Sequence, residues 1–301
     1  MQRLKRIGIV MGLTILMISG IICNEEVKAS EKSNTEEIVE IYKKDFDTGV
    51  EEIVDIRISS SAEVLNGDAL NSTGASSRKI IGSDDRVRIP DMLMNNAPYS
   101  CVGVVRVEYY GGKVSWGTGF LFGPNDVVTA GHILYDQKTK SIAKKISFIP
   151  QINGPYLSPT GHATYTGRNM AIPKEFMDKN DIGYDYGVFS LDTNIGDSLG
   201  YFGWTTDATV GQTVQVLGYP GDKPKYELWM AGGQLASVDN VILTHYVDME
   251  NGQSGAPIFF SVVNKIVGIN VASGNGFEAN IGRKVDQELA NILYNTRYGD
   301  Y

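Results

Sequence analysis

A glycine-rich turn in the last fifth of the chain contains a serine that could act as a nucleophile. Residues 251–257 read Asn-Gly-Gln-Ser-Gly-Ala-Pro, with Ser254 at the centre. A serine hydroxyl becomes a useful nucleophile when a neighbouring base takes its proton. Flanking glycines let the backbone turn tightly and bring amide N–H groups toward a developing oxyanion. The turn therefore predicts Ser254 as nucleophile and the amides of Gly252 and Ser254 as oxyanion donors; an ordinary glycine-rich turn is the alternative.

An upstream histidine could supply the base. Residues 116–122 read Trp-Gly-Thr-Gly-Phe-Leu-Phe, and residues 127–132 read Val-Val-Thr-Ala-Gly-His. A histidine at the end of a β-run, in a corner of small residues, is well placed to act as general base and acid. A lone histidine is more often structural, but His132 has a candidate nucleophile downstream. We therefore predict that His132 takes the proton of Ser254.

A carboxylate between these two residues could orient the imidazole. Residues 181–191 read Asp-Ile-Gly-Tyr-Asp-Tyr-Gly-Val-Phe-Ser-Leu, which offers Asp181 and Asp185. Asp185 immediately precedes a predicted strand that would fix its position, whereas Asp181 is expected to be a solvated turn residue. An aspartate in this role holds the histidine tautomer and stabilises the imidazolium. The predicted triad is therefore His132, Asp185 and Ser254.

The other reactive residue types indicate no second site. His132, His162 and His245 are far apart and lack metal-ligand spacing, so we expect no metal and no cofactor. Loss of a leader that includes Cys23 would leave Cys101 as the single cysteine, so no internal disulfide is expected. Cys101 opens a β-type run and is expected to be a small buried core residue rather than a nucleophile.

Charge and the N-terminal sequence narrow the compartment and the partners. The formal net charge is -8 and no basic block occurs, which argues against nucleic acid as a partner. Basic residues, an apolar run over 7–22 and a small residue at Ala29 predict a cleavable secretory signal over residues 1–29. The run is shorter than the roughly 20 residues that span a bilayer. An uncleaved anchor and lipidation at Cys23 are the alternatives.

The elements that must position these residues begin after a compositional break. Residues 30–79 are rich in Glu, Asp, Ser and Asn, with one apolar patch over 53–58. This composition predicts a separable pro-segment with an accessible cleavage region; a disordered tail that stays attached is the alternative.

Short β-type runs broken by Gly, Pro, Asn and Asp follow from residue 80 onward. They indicate an all-β sandwich or barrel, and about 220 residues suit one all-β unit or two small barrels side by side. Residues 284–294 have apolar positions at helical spacing. The predicted strands are 102–110, 118–122, 126–129, 145–150, 186–191, 213–217 and 265–270.

The motifs Thr-Ala-Gly-His, Asp-Tyr-Gly-Val and Gly-Gln-Ser-Gly-Ala-Pro, in that order, resemble the glutamyl endopeptidase family of bacterial trypsin-like serine proteases. The resemblance runs from about Ile81 to the C-terminal helix. It implies two antiparallel six-stranded β-barrels with the triad in the cleft between them, and a C-terminal α-helix. It also implies secretion as a proenzyme, with cleavage near residues 79–81 and a protease domain over 80–301. We expect a monomer that acts on protein or peptide substrates without stable membrane association.

The specificity residues depart from that family. Members that cut after glutamate usually carry a histidine after a Val/Ile-Gly-Ile motif, where this chain has Asn270. They also carry Thr or Ser five residues before the nucleophile, where this chain has Met249. An unpartnered buried carboxylate is costly, so the glutamate preference is not carried over. A neutral or apolar preference is favoured, while an acidic preference through His245 and a basic one through Asp248 or Glu250 stay open.

Two further expectations concern the substrate and activation. The stretch Val271, Ala272 and Ser273 is predicted to pair with the substrate backbone by strand addition. Gln253, just before the nucleophile, is neutral and cannot pair with a new N-terminal ammonium. Release of the pro-segment would therefore unblock the cleft or place the new N-terminus near the pocket.

Alternative functions are a non-catalytic secreted binding protein on the same scaffold and a narrow-specificity, toxin-like protease. The first is disfavoured by the complete triad. The second is motivated by Met249 and Asn270.

Overall fold

The computed structural model describes four stretches of the chain, residues 35–60, 80–154, 162–273 and 279–298. The predicted signal over 1–29 and the predicted cleavage region before residue 80 lie outside these stretches. Within them, no helix combines the length and the apolar character needed to cross a membrane. The described residues belong to one compact unit.

Strands dominate the described residues, and the helices are short apart from the last. The strands are β1 (Thr35–Asp45), β2 (Glu51–Ser60), β3 (Val87–Arg88), β4 (Val102–Tyr109), β5 (Val114–Leu121), β6 (Asp126–Thr129), β7 (Tyr135–Asp136), β8 (Ser141–Pro150), β9 (Tyr165–Pro173), β10 (Gly187–Leu191), β11 (Gly203–Trp204), β12 (Thr213–Gly218), β13 (Trp229–Val238), β14 (Ile242–His245), β15 (Pro257–Phe260), β16 (Lys265–Ser273) and β17 (Asn280–Lys284). The helices are α1 (Gly131–Leu134), α2 (Lys174–Lys179), α3 (Gly196–Leu199) and α4 (Gln287–Tyr298).

The strands close into two six-stranded antiparallel barrels. The first ring runs β4-β5-β6-β10-β9-β8 and closes through the pairing of β8 with β9. The second runs β12-β13-β14-β17-β16-β15 and closes through β15 with β12. The prediction of two six-stranded barrels followed by a C-terminal helix is confirmed.

Three aromatic rings in edge-to-face contact, called here the inter-barrel stack, join the two barrels. Phe120 lies in β5 of the first barrel, Phe259 lies in β15 of the second, and Phe202 lies between them, just before β11. The ring centroids of Phe202 are 5.7 Å from Phe120 and 5.2 Å from Phe259, both edge-to-face. All three side chains are buried, and such pairs contribute about 0.5–1.5 kcal/mol beyond their buried area. The stack therefore fixes one barrel against the other.

The C-terminal helix begins three residues later than predicted, at Gln287. The Asp286 carboxylate accepts the backbone N–H of Leu289 at 2.8 Å, so Asp286 caps the first turn of α4. The apolar side of α4 is buried through Leu289, Ile292 and Leu293.

The segment before residue 61 differs from a disordered tail. β1 and β2 form a hairpin, and β1 pairs with residues 169–173 of β9, beyond the part of β9 that pairs with β8. Val39 and Ile41 are each 1% exposed, and Glu40 between them is partly exposed. A strand needs only one apolar face, so a low average hydrophobicity is compatible with docking. The alternative of a disordered tail is wrong for residues 35–60, whereas cleavage of this segment stays a prediction.

We expect Phe202→Ala to lower the free energy of unfolding by about 3–5 kcal/mol, because it empties the centre of the inter-barrel stack. Urea unfolding followed by tryptophan fluorescence measures this change. Tyr201→Ala is the matched control, since the neighbouring Tyr201 side chain is 40% exposed. Equal losses of stability for the two variants would contradict the assignment of Phe202 as the link between the barrels.

Candidate active site

The His132 imidazole is held by a single carboxylate. The backbone N–H of His132 donates to Asp185 Oδ1 at 2.8 Å, and His132 Nδ1 lies 2.8 Å from Asp185 Oδ2. A carboxylate at Nδ1 keeps the proton on that nitrogen, so Nε2 presents its lone pair. Asp185 is buried, while a third of the His132 side chain is exposed. The pair can therefore accept a proton from a group in the cleft.

Local sequence explains how the two residues meet. His132 lies in α1, directly after β6 and Gly131. A Cβ on Gly131 would come within 3.2 Å of Asp185 Oδ1 and 3.1 Å of Tyr186 O, so glycine permits the close approach. Asp185 follows the 3₁₀ turn Ile182–Tyr184, which Asp181 caps by accepting the Gly183 N–H at 2.8 Å. Asp181 therefore lies in a turn, as predicted, and its carboxylate caps that turn.

The Ser254 turn of the second barrel is hydrogen-bonded to β5 of the first barrel. The Thr118 N–H donates to Ser254 O at 2.9 Å. The Thr118 hydroxyl donates to Gly252 O at 2.7 Å and accepts from the Tyr219 N–H at 3.1 Å. Thr118 was not predicted as a site residue, although its position between two glycines in the Trp-Gly-Thr-Gly motif was a usable signal.

Both glycines that flank the turn are required by its shape. Gly252 and Gly255 have φ angles of 87° and 83°, in the left-handed region. A Cβ on Gly255 would overlap Thr118 O and lie 2.8 Å from the N atom of Ala130, two residues before His132. The residue after Ser254 therefore touches the end of the segment that leads into His132. The structure brings all three predicted triad residues to one region between the barrels.

Two backbone amides of the turn are available as donors. The Gln253 N–H donates to Glu250 O at 3.0 Å, and the Gly255 N–H donates to Asn270 O at 2.8 Å. The amides of Gly252 and Ser254, the two predicted donors, have no partner among the described residues. A negative oxygen near Ser254 could bind to them.

A buried hydrogen-bond chain lies directly behind the turn. The Val247 N–H donates to His245 Nδ1 at 3.3 Å, so the His245 proton is on Nε2, 3.3 Å from Asn270 Oδ1. Asn270 Nδ2 in turn donates to Gln253 O at 2.9 Å. Burial lowers the pKa of His245 to about 4, although its hydrogen bond to Asn270 opposes this. His245 is therefore neutral near pH 7 and offers no positive charge to an acidic substrate residue.

The nearby carboxylates accept hydrogen bonds from backbone amides. Asp248 is buried and accepts the backbone N–H of Ile81 at 2.6 Å and that of Asp85 at 3.0 Å. Burial and the negative charge of Asp248 raise the pKa of Asp85. Glu250 Oε1 accepts the Asn251 N–H at 2.9 Å. The two Asp248 contacts join residues more than 160 positions apart, so no local signal in the sequence could reveal them.

The other predicted substrate-binding residues lie beside the Ser254 turn and at the end of β16. Met249 is buried next to the turn, and Val271, Ala272 and Ser273 end β16. On one side this end of β16 pairs with β17, as in Ala272 with Ile281. On the other side, pairing with β15 stops at Ile269, so no described strand covers residues 271–273 there.

The remaining candidate residues lie away from the turn. Cys101 is 2% exposed, and burial raises the pKa of its thiol to about 11, which confirms the prediction of a core residue. His162 lies in a bend before β9. Within the described stretches, no group of three or more His, Cys, Asp or Glu side chains could hold a metal ion.

Comparison with protein families gives one domain match and several relatives. A family model described as "Trypsin-like peptidase domain" matches residues 117–269. The chain is 37% identical to a glutamyl endopeptidase of Bacillus licheniformis over 60% of this chain and 55% of that protein. It is 31% identical to an extracellular metalloprotease of Bacillus subtilis over 71% of this chain and 68% of that protein. The chain thus spans little more than half of the first relative.

Solved structures give the same fold. A Glu endopeptidase in complex with MPD superposes with a TM-score of 0.64 at 25% identity, over 73% of this chain and all of that chain. The protease Anisep of Arthrobacter nicotinovorans superposes with a TM-score of 0.55 at 20% identity, over 67% of this chain and 97% of that chain. The second likeness concerns the fold alone.

The pKa values of His132 and His245 should be shifted in opposite directions. Burial disfavours the charged form of His132, but the charge and hydrogen bond of Asp185 outweigh it and raise the pKa of His132 above its usual value. Histidine ring resonances followed by NMR from pH 3 to 9 should therefore show His132 losing its proton above about pH 6.5 and His245 near pH 4. His162→Gln removes the third signal for assignment.

Asp185→Asn should move the His132 transition to lower pH, because it removes both stabilising interactions with the imidazolium. A His132 transition that does not move in this variant would contradict the pairing.

Proposed function

The chain belongs to the trypsin-like peptidase family, and from this membership we propose that it is a secreted serine endopeptidase, made as a proenzyme and active as a monomer. The observation that supports it best is the double hydrogen bond of His132 to Asp185 opposite a nucleophile turn fixed by Thr118.

The proposed reaction uses each triad residue once in each half. Ser254 Oγ attacks the scissile carbonyl carbon while His132 Nε2 takes its proton, and the imidazolium then protonates the leaving amine. Water attacks the acyl-enzyme, His132 takes a proton from it, and that proton returns to Ser254. Asp185 stays ionised throughout and stabilises the imidazolium. The Gly252 and Ser254 amides, for which the described stretches offer no partner, would bind the oxyanion in both halves.

The proposed substrates have a neutral residue before the scissile bond. His245 is neutral and buried, and Asn270 Oδ1 is occupied by the His245 N–H. Asp248 accepts two backbone amides and faces residues 81–85. Neither His245 nor Asp248 is therefore left to pair with a charged substrate side chain. Val271, Ala272 and Ser273 would pair with the substrate backbone on their uncovered side.

Secretion and proenzyme processing are supported by different observations. The Bacillus subtilis relative is named as an extracellular protein, and the N-terminal 29 residues have the composition of a signal. Ile81, next to the proposed cleavage region, is bound to Asp248, six residues before Ser254. A new terminus near Ile81 would therefore arise beside the nucleophile turn. No metal is carried over from that relative, because the described residues offer no cluster of ligands.

We expect Ser254→Ala to abolish cleavage of a mixed peptide library by the processed protein, because no other described hydroxyl occupies the turn opposite His132. A serine-directed phosphonate should label the wild type and not the variant. Ser198→Ala, on the exposed face of α3, is the matched control and should leave both results unchanged. Labelling that survives Ser254→Ala would contradict the proposed nucleophile.

The same experiment includes the unprocessed precursor. It should cut the library more slowly than the processed protein, and full activity before any cut would contradict the proenzyme scheme. A folded, processed protein that neither cuts nor is labelled would favour a binding protein on this scaffold.

Library cleavage should favour uncharged residues before the scissile bond over Glu and Lys. Burying an unpaired charge costs about 1–3 kcal/mol, which corresponds to a preference of about 5- to 150-fold in kcat/KM. His245→Ala should change this ranking, because it frees the Asn270 amide. Tyr246→Ala is the control, since the Tyr246 side chain is half exposed. Preferred cleavage after Glu or Lys by the wild type would refute the neutral pocket.

A further inference from the structure

The hairpin of β1 and β2 is bound to the first barrel as an additional pair of strands. β1 pairs antiparallel with β9 from Ile41 opposite Pro173 to Asp45 opposite Asn169. The Phe46 N–H extends the contact by donating to Arg168 O at 2.7 Å. Backbone hydrogen bonds of this kind are how an extended segment adds to an exposed sheet edge.

Apolar burial strengthens the attachment. Val39 and Ile41 are each 1% exposed and Ile56 is 8% exposed, and all three join the core that contains the first barrel. Complete burial of such a side chain contributes about 1.5–3 kcal/mol. β1 also packs against α2, and β2 packs against α4 at the end of the second barrel.

Charged contacts surround this apolar contact. Lys44 is buried, and its Nζ donates to Glu51 Oε1 within the hairpin at 2.7 Å. The same Nζ donates to the Tyr110 hydroxyl of the first barrel at 3.2 Å. Arg168 of β9 binds Asp47 at 2.5 Å in an exposed ion pair. The buried contact of Lys44 matters more, because exposed pairs contribute little.

The hairpin is connected to the His132 turn through α2, against which β1 packs. The Gln137 side chain, just after α1 and β7, donates to the Phe176 carbonyl in α2. The buried Phe176 ring also lies 3.0 Å from where a Cβ on Gly131 would be. α2 thus supports the turn that contains His132. Among the described residues, no hydrogen bond or ion pair of the hairpin reaches His132, Asp185 or Ser254.

We infer that the 35–60 hairpin stays bound to the processed enzyme as a non-covalent subunit added to β9, where it supports α2 and the His132 turn rather than covering the cleft. This inference rests on the proposed function in so far as it requires a cut between residues 60 and 80. Once that cut is made, the β9 pairing and the buried Val39 and Ile41 hold the hairpin without a covalent link.

The retention test uses the precursor lacking only its signal, with Ser254→Ala and a recognition sequence for an external site-specific protease inserted between residues 61 and 79. After cleavage, size-exclusion chromatography and mass analysis should find the hairpin fragment eluting with the domain at equal amounts. A fragment that elutes apart from a folded domain would overturn the inference. Because Ser254→Ala removes the chain's own activity, this result is independent of whether the enzyme functions as proposed.

Two isoleucines of β1 provide matched variants. Ile41→Asp places a charge in the buried seam and should release the fragment after cleavage, whereas Ile38→Asp should not, because Ile38 is 52% exposed. Equal behaviour of the two folded variants would overturn the role of the seam. If the Ile41→Asp precursor does not fold, the wild-type and Ile38→Asp results still decide retention.

The supporting role is tested with Ser254 intact. After the same cut, phosphonate labelling of the Ile41→Asp protein should be about tenfold slower than that of Ile38→Asp, since small misplacements of catalytic groups can cost about 100-fold in rate. The pH dependence of labelling should also shift, because the His132 environment changes. Unchanged or faster labelling after loss of the hairpin would overturn the supporting role.

Discussion

The seam between the two barrels at Thr118 is the constraint on which the whole site depends. His132 and Asp185 belong to the first barrel and Ser254 to the second, so neither barrel contains the site alone. The proposed proton transfer from Ser254 to His132 requires a heavy-atom distance of about 2.6–3.2 Å, and a small slip at the seam would break it. The buried Thr118 hydroxyl both donates to Gly252 O and accepts from the Tyr219 N–H. A buried group left unsatisfied costs about 1–3 kcal/mol, so the register of the seam is strongly fixed.

The second barrel has to bury polar atoms behind the Ser254 turn without a net charge. It does so with a chain in which each hydrogen bond sets the next, from Val247 N–H through His245 and Asn270 to Gln253 O. A protonated His245 would have no acceptor at Nδ1, where a backbone N–H points, and this geometry agrees with its low pKa. This series of hydrogen bonds therefore holds the Ser254 turn in place. It also keeps His245 neutral, so the positive charge that would recognise an acidic substrate residue is missing.

The sequence predicted the parts of the fold whose signal is local. Short β-type runs bounded by turn residues predicted strands, β6 with the bounds that the structure has, and small residues marked the corners at His132 and Ser254. The hairpin was missed as structure because only one face of β1 is apolar, and an average over the Glu-rich segment hides this alternation. The role of Asp248 was missed because its partners, Ile81 and Asp85, are distant in sequence. Contacts that depend on the closed barrels cannot be read from spacing alone.

The two ends of the proposed cleavage region are both anchored, and this limits how a cut could act. Before the region, the hairpin is bound to β9; after it, Ile81 is bound to Asp248. A cut therefore separates the hairpin from residues 81–85 while both stay attached to the barrels. It need not uncover the cleft, so activation by unblocking the cleft is disfavoured. What a cut does add is a positive terminus on the Asp248 side. Asp85 and Asp248 place two carboxylates close together there, with the pKa of Asp85 already raised. A cation near this pair would lower that pKa and strengthen the contact of residues 81–85 with the wall behind Ser254.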